Sequence, residues 1–138
     1  MSKDRARYFI KKHEGLSLTL KRDIDGSTWI GYGHNLDALG ISQVMADQLL
    51  EIDLFRVYKE LNKHIPWWKG LHEPRRVVLV DMCYNLGITR FLDFKKMLVA
   101  VKEGNYDTAA DEMLNSMWAK QVKGRAIELA KIMREGIY

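Results

Sequence analysis

The sequence predicts an α+β protein, with a small N-terminal sheet lobe and a larger all-helical lobe after it. Nearly all of the strand signal lies between residues 16 and 40, where apolar and polar residues alternate and glycines recur. From residue 42 to residue 138, apolar residues recur with helical spacing instead. With 138 residues and 47% apolar content, the chain is long enough for one domain with a hydrophobic core.

The chain begins with a short helix, predicted over residues 4–14, which Gly15 can end. The segment LSLTLKRD then alternates in polarity, and IDGSTWIGYGHNL adds an Asp-Gly turn followed by strand-forming residues. We expect a β-hairpin or a three-stranded sheet here, over about residues 16–40. Gly26, Gly31 and Gly33 suit turns and the close approach of neighbouring groups to the backbone.

The helical lobe is expected over about residues 42–138, with the helix 4–14 packed on it. Segments with helical periodicity are separated by residues that commonly begin or end helices: Ser42, Pro74, Gly87, Asp93 and Gly104. The segment 77–83 is apolar nearly all round, which predicts a buried central helix. We expect a single domain over residues 1–138, with a ligand-binding cleft between its two lobes.

Composition excludes several classes of site and suggests an anionic partner. The single cysteine, Cys83, excludes a disulfide within the chain and a cysteine-based metal cluster, and its apolar neighbours predict burial. The net charge of +4 suits an acidic polymer, but basic residues are scattered among acidic ones and no nucleic-acid-binding motif is present. No apolar segment is long enough to cross a membrane. We therefore expect no nucleic-acid partner and no stable membrane insertion, and the length of the chain makes a monomer the default expectation.

Two carboxylates, Glu14 and Asp23, fit the needs of glycosidic-bond hydrolysis, which uses one proton donor and one ionised group. Glu14 falls in the last turn of the first helix, where the partial negative charge of the helix end, together with burial beneath the sheet, would favour the neutral form. Asp23 follows Lys21 and Arg22 in a polar segment and should stay ionised. Since such spacing is common by chance, an ordinary surface glutamate and a turn-forming aspartate remain the alternative.

The segment HEGLSL, followed by D, DG and IGYGHNL, resembles the phage-type lysozymes (endolysins, glycoside hydrolase family 24). The resemblance continues through MCYNLGITRFLDFKKML and YDTAADEMLNSMWAKQVKGRA, and it covers essentially the whole chain in matching order. It implies a lysozyme-like fold and a muramidase that hydrolyses the β-1,4 bonds between N-acetylmuramic acid and N-acetylglucosamine in bacterial peptidoglycan, in phage-mediated host lysis. The implied chemistry uses carboxylates alone, without a metal or cofactor.

By position, the resemblance makes Glu14 the general acid and Asp23 the second catalytic carboxylate. The residues that we expect to support catalysis are Thr28, Arg125 and His34. The residues that we expect to bind substrate are Asp25, Asn35, Tyr84, Asn85, Trp118 and Gln121.

Some of these residues carry a more specific expectation. We expect Arg125 to form an ion pair with Glu14, and His34 to be structural and paired with Asp53 on the long helix. For Trp118, packing in the core is an equally good alternative to substrate contact. Because the first residues, MSKDRARYFIKKHEG, contain no apolar secretory segment, we also expect synthesis in the host cytoplasm without a signal peptide, followed by action on the cell wall.

Trp29 departs from the family pattern, which usually has threonine at this position. A threonine does occur one place earlier, at Thr28, but neighbouring side chains of a strand point to opposite faces. Either a bulge delivers Thr28 to the cleft, or Asp23 works with a differently held water, with Asp25 as a possible second choice of carboxylate. Trp29 also motivates an alternative function: a peptidoglycan-binding module of the same fold with weakened or no hydrolysis. The retention of Glu14 favours the enzyme.

Overall fold

The computed structural model describes residues 3–138 and confirms the α+β fold class. The chain divides into two compact units, Met1–Gln48 and Leu49–Tyr138. The described part of the first unit contains the sheet, and the second unit consists of helices. Within residues 3–138 no helix has both the length and the apolar character that a membrane span requires.

The first unit contains a helix, a three-stranded sheet and one turn of helix. Its elements are α1 (Lys3–Glu14), β1 (Ser17–Arg22), β2 (Thr28–Gly31), β3 (His34–Asn35) and α2 (Leu36–Leu39). The strands are antiparallel in the order β1-β2-β3, which confirms the three-stranded sheet predicted from the alternating pattern. Between residues 3 and 48, Ser17 is the one buried residue.

The pairing of β1 with β2 is irregular at one point. Ser17 pairs with Gly31 and Lys21 pairs with Trp29, so a longer stretch of β1 lies opposite a shorter stretch of β2. The pairing is regular at Arg22 and Thr28, next to the turn. The irregularity therefore lies away from Thr28, near the beginning of β1.

The second unit is helical and contains the core. Its elements are α3 (Gln43–His64, beginning in the first unit), a 3₁₀ helix (Pro66–Gly70), α4 (Glu73–Leu86), α5 (Ile88–Leu92), α6 (Lys95–Glu103), α7 (Tyr106–Leu114), α8 (Met117–Val122) and α9 (Gly124–Glu135). Among the described residues, the buried apolar side chains all lie from Val57 onward. Val78, Leu79 and Met82 of α4 are fully buried, as predicted for a central helix, although Val77 is 40% exposed.

Most helix boundaries follow from the predicted capping residues. The Ser42 hydroxyl accepts a hydrogen bond from the Met45 amide at 3.2 Å, and Pro74 lies in the first turn of α4. Gly87 and Gly104 end α4 and α6 with positive φ. The expected cap at Asp93 is wrong, because Phe94 occupies that position and Asp93 follows the end of α5.

Candidate active site

Glu14 is the last residue of α1 and lies against the backbone of the sheet. Gly15, with φ of +73°, ends the helix, and its amide donates to the Lys11 carbonyl at 3.0 Å. A Cβ atom on Gly33 would lie 2.7 Å from Glu14 Oε2 and 3.2 Å from its Cδ. The carboxyl group thus occupies the space that a side chain would fill in the turn between β2 and β3. Glu14 is exposed, so the expected burial beneath the sheet is not found.

Asp23 begins the turn that joins β1 to β2. Its amide donates to the Ser27 carbonyl at 2.8 Å, and its own carbonyl accepts from the Gly26 amide at 3.0 Å. The indole Nε1–H of Trp29 donates to Asp23 Oδ1 at 3.1 Å. The backbone of Asp23 is therefore held by the turn, and its exposed carboxylate is held by the residue that departs from the family pattern.

Thr28 forms hydrogen bonds with Asp37 and not with the predicted catalytic carboxylates. Both its amide and its hydroxyl donate to Asp37 Oδ2, the hydroxyl at 2.9 Å. These two hydrogen bonds, the backbone one first, lower the pKa of Asp37 below its ordinary value of 3.8. Thr28 thus ties β2 to α2, and the suggestion that a bulge turns its hydroxyl toward the predicted catalytic carboxylates is wrong.

Asp25 organises the turn that Asp23 begins. Its Oδ1 accepts hydrogen bonds from the Ser27 hydroxyl at 2.6 Å and from the Ser27 amide at 3.0 Å. These bonds, the hydroxyl one first, lower the pKa of Asp25 and keep it ionised. The local role of Asp25 is therefore to shape the turn.

His34 and Asn35 both support the segment that follows the sheet. Because a carbonyl oxygen can only accept, His34 Nε2 donates to the Gly40 carbonyl, at 2.6 Å. The expected partner, Asp53, is wrong, since Asp53 pairs with Arg56 one turn along α3 at 3.3 Å. Asn35 Oδ1 accepts from the Ala38 amide at 3.0 Å and so caps α2.

Two of the predicted site residues of the second unit, Trp118 and Asn85, form a hydrogen bond. The indole N–H of Trp118 donates to Asn85 Oδ1 at 2.8 Å. Trp118 is only 3% exposed and meets Phe94 edge to face, with ring centroids 6.1 Å apart. Trp118 therefore packs in the core and orients the Asn85 amide, whereas Tyr84 and Gln121 are exposed.

Arg125 forms an ion pair within the helical unit. Its Nε donates to Asp81 Oδ1 at 2.7 Å, linking α9 to α4, with both side chains a little over one third exposed. This pairing corrects the expectation that the partner of Arg125 is Glu14. The physical reason is that α4 packs against α9, which brings the carboxylate of Asp81 within hydrogen-bonding distance of the Arg125 guanidinium.

Three features of the site were not predicted from the sequence. Gly33 was expected to permit a close approach, but the pattern did not show that Glu14 makes it. Asp37 was not singled out, and the indole of Trp29 was not expected to bond Asp23. No group of three or more possible metal-ligating side chains occurs among residues 3–138.

Comparison with known proteins agrees with the family resemblance found in the sequence. The family model described as phage lysozyme matches residues 11–134. Two Dictyostelium discoideum proteins, probable T4-type lysozymes 1 and 2, are 24% and 23% identical, and each match covers 92% of both chains. The pre-baseplate central spike protein Gp5 of enterobacteria phage T4 is 26% identical over 92% of this chain, but this chain spans only 27% of its length. The similarity supports a glycoside hydrolase of the muramidase type. The chain belongs to the phage lysozyme family.

Proposed function

We propose that this protein is a muramidase that hydrolyses the β-1,4 bond between N-acetylmuramic acid and N-acetylglucosamine in peptidoglycan. The observation that carries the proposal is the placement of two carboxylates around one small sheet. Glu14 lies against Gly33 at the turn before β3, and Asp23 lies at the turn before β2, held by Trp29.

In this mechanism Glu14 is the general acid and Asp23 is the second carboxylate. Glu14 donates its proton to the bridging oxygen, so the leaving sugar departs with a new hydroxyl group. Asp23, ionised, stabilises the positive charge that develops at the anomeric carbon and orients the water that completes hydrolysis.

The helical unit supplies polar and aromatic groups for the glycan. We propose that exposed Tyr84, Asn85 and Gln121 contact the sugars, while Trp118 acts by holding Asn85 in orientation. The net charge of +4 favours approach to an anionic wall polymer. No metal or cofactor takes part in the proposed chemistry.

We place this activity in the degradation of the bacterial wall by a phage, ending in host lysis. The phage lysozyme family and the likeness to a phage spike protein support this setting. The protein would be made in the host cytoplasm and would act as a bacteriolytic enzyme once it reached the wall. Purified protein is therefore expected to lower the turbidity of bacteria whose outer layers have been made permeable.

The decisive experiment is muropeptide analysis of peptidoglycan digested with the purified protein. Hydrolysis predicts fragments that end in reducing N-acetylmuramic acid. Anhydro ends would instead indicate a lytic transglycosylase and would contradict the proposed reaction. Protein that sediments with cell walls yet releases no fragments would identify the peptidoglycan-binding module of the same fold.

A further inference from the structure

We propose that Trp29 is the positioning residue of Asp23, and that its indole N–H orients the Asp23 carboxylate from the position where the family pattern usually has threonine. This inference rests on the proposed function, because it assigns a partner to the proposed second carboxylate. Trp29 thus has a functional role in this site, although it departs from the family pattern.

The backbone places Trp29 well for this role. It is the second residue of the central strand, paired with Lys21 of β1 on one side and with Asn35 of β3 on the other. A residue hydrogen-bonded in the sheet on both sides is more rigid than one in a loop. Its half-buried side chain reaches over the end of β1 to the carboxylate of Asp23, where Nε1 lies 3.1 Å from Oδ1.

The hydrogen bonds of Thr28 and of the turn residues involve groups other than the carboxylate of Asp23. Thr28, the available hydroxyl, points to Asp37 and is paired twice with it. The turn itself fixes the backbone of Asp23 through Ser27 and Gly26, but neither of those bonds orients the carboxylate. The bond from Trp29 is the side-chain contact that selects one orientation of the Asp23 carboxylate.

An indole N–H differs chemically from a threonine hydroxyl in one respect that matters here. The hydroxyl both donates and accepts, so it can bond a carboxylate and a water together, whereas the indole N–H only donates. Trp29 therefore occupies Oδ1 and offers nothing to a water molecule. Oδ2 of Asp23 is left as the oxygen that meets the attacking water or the developing positive charge.

Nuclear magnetic resonance of the indole N–H groups tests the pairing without any activity assay. The chain has four tryptophans, and the N–H groups of Trp68 and Trp118 donate to the amide oxygens of Asn62 and Asn85, which do not titrate. Replacing Asp23 with Asn, or protonating carboxylates with acid, should shift the Trp29 indole resonance. The Trp68 and Trp118 resonances should stay in place as internal controls.

Kinetics of a Trp29→Phe variant test the positioning role. Phe keeps an aromatic ring but loses the donor, so kcat should fall about tenfold, the effect of losing about 1.4 kcal/mol of a charge-assisted hydrogen bond. KM should change little, because the bond acts on the reacting carboxylate and not on substrate affinity. Trp68→Phe is the matched control: it removes an indole donor from the helical unit and should lower stability without lowering kcat.

The resonance shift and the kinetics together distinguish failure of this inference from failure of the proposed function. A folded Trp29→Phe variant with the kcat of the wild type, or a Trp29 indole resonance that ignores Asp23→Asn, would overturn the inference. If the wild type shows the expected resonance shift but hydrolyses nothing, the contact exists and the proposed function is what fails. If the wild type hydrolyses peptidoglycan and the resonance does not move, the function stands and only this inference fails.

Discussion

The predicted active site depends on two close approaches between single residues. The Glu14 carboxyl group fills the space above Gly33, and the indole of Trp29 reaches the carboxylate of Asp23. Each approach couples a predicted catalytic group to the sheet rather than to another charged side chain. Small changes in the sheet residues should therefore alter catalysis more than binding, because they move a reacting group relative to the substrate.

The contact between Gly33 and Glu14 predicts the outcome of a Gly33→Ala substitution. The added Cβ would lie 2.7 Å from Glu14 Oε2, so the carboxyl group must move, and kcat should fall about tenfold or more. Because Gly33 has φ of +74°, the substitution should also cost roughly 1 kcal/mol of folding free energy. Steady-state kinetics and urea unfolding measure the two effects separately.

Gly31→Ala is the matched control for this prediction. Gly31 has a similar φ of +70°, but a Cβ there meets no atom within 4 Å. It should lose a similar amount of stability, again roughly 1 kcal/mol, and keep most of its kcat. Equal losses of kcat in the two folded variants would show that backbone strain, and not the contact with Glu14, explains the effect.

At the scale of elements, Asp37 joins α2 to the edge of the site. It accepts the amide and the hydroxyl of Thr28, so the one-turn helix α2 is tied to the beginning of β2. The sequence did not predict α2, because four residues are too few to show a helical period. It did predict the longer helices, since Ser42, Pro74 and Gly87 act locally at their ends.

The lowered pKa of Asp37 predicts how acid affects this connection. Its folded-state pKa lies below 3.8, so its ionised form stabilises the fold at pH values above 3.8. That contribution is lost as the pH falls through the folded-state pKa. The Asp37→Asn variant lacks the contribution at every pH, so its free energy of unfolding should decrease less on acidification than that of the wild type.

Urea unfolding at about pH 6 and at about pH 3 checks this expectation. Asp47→Asn, which removes a carboxylate from α3, is a suitable control and should lose stability in acid as the wild type does. An Asp37→Asn variant with the full acid sensitivity of the wild type would show that the bonds to Thr28 contribute nothing to it.

At the scale of the whole molecule, the fold class and the core could be predicted because their signals are local. The nearly all-apolar segment 77–83 indicated that α4 is largely buried, and apolar neighbours indicated the burial of Cys83, which is 2% exposed. That burial, its first cause, raises the pKa of the Cys83 thiol to about 11 and keeps it unreactive at neutral pH.

The partners of charged and polar side chains could not be predicted in the same way. Arg125 pairs with Asp81, 44 residues away in sequence, and His34 bonds the Gly40 carbonyl rather than a carboxylate. Such choices depend on which elements pack together, and neither residue spacing nor a family motif encodes them. The sequence therefore indicates candidate site residues, whereas their partners depend on the three-dimensional arrangement.

The rate at which a Glu14→Gln variant releases reducing sugar from peptidoglycan tests the central claim most directly. Gln keeps nearly the same shape but has no proton to donate to the bridging oxygen. We predict at least a 100-fold loss of rate, roughly what a general acid contributes, with circular dichroism and urea unfolding unchanged. Undiminished release by the folded variant would contradict the assignment of Glu14 as the general acid.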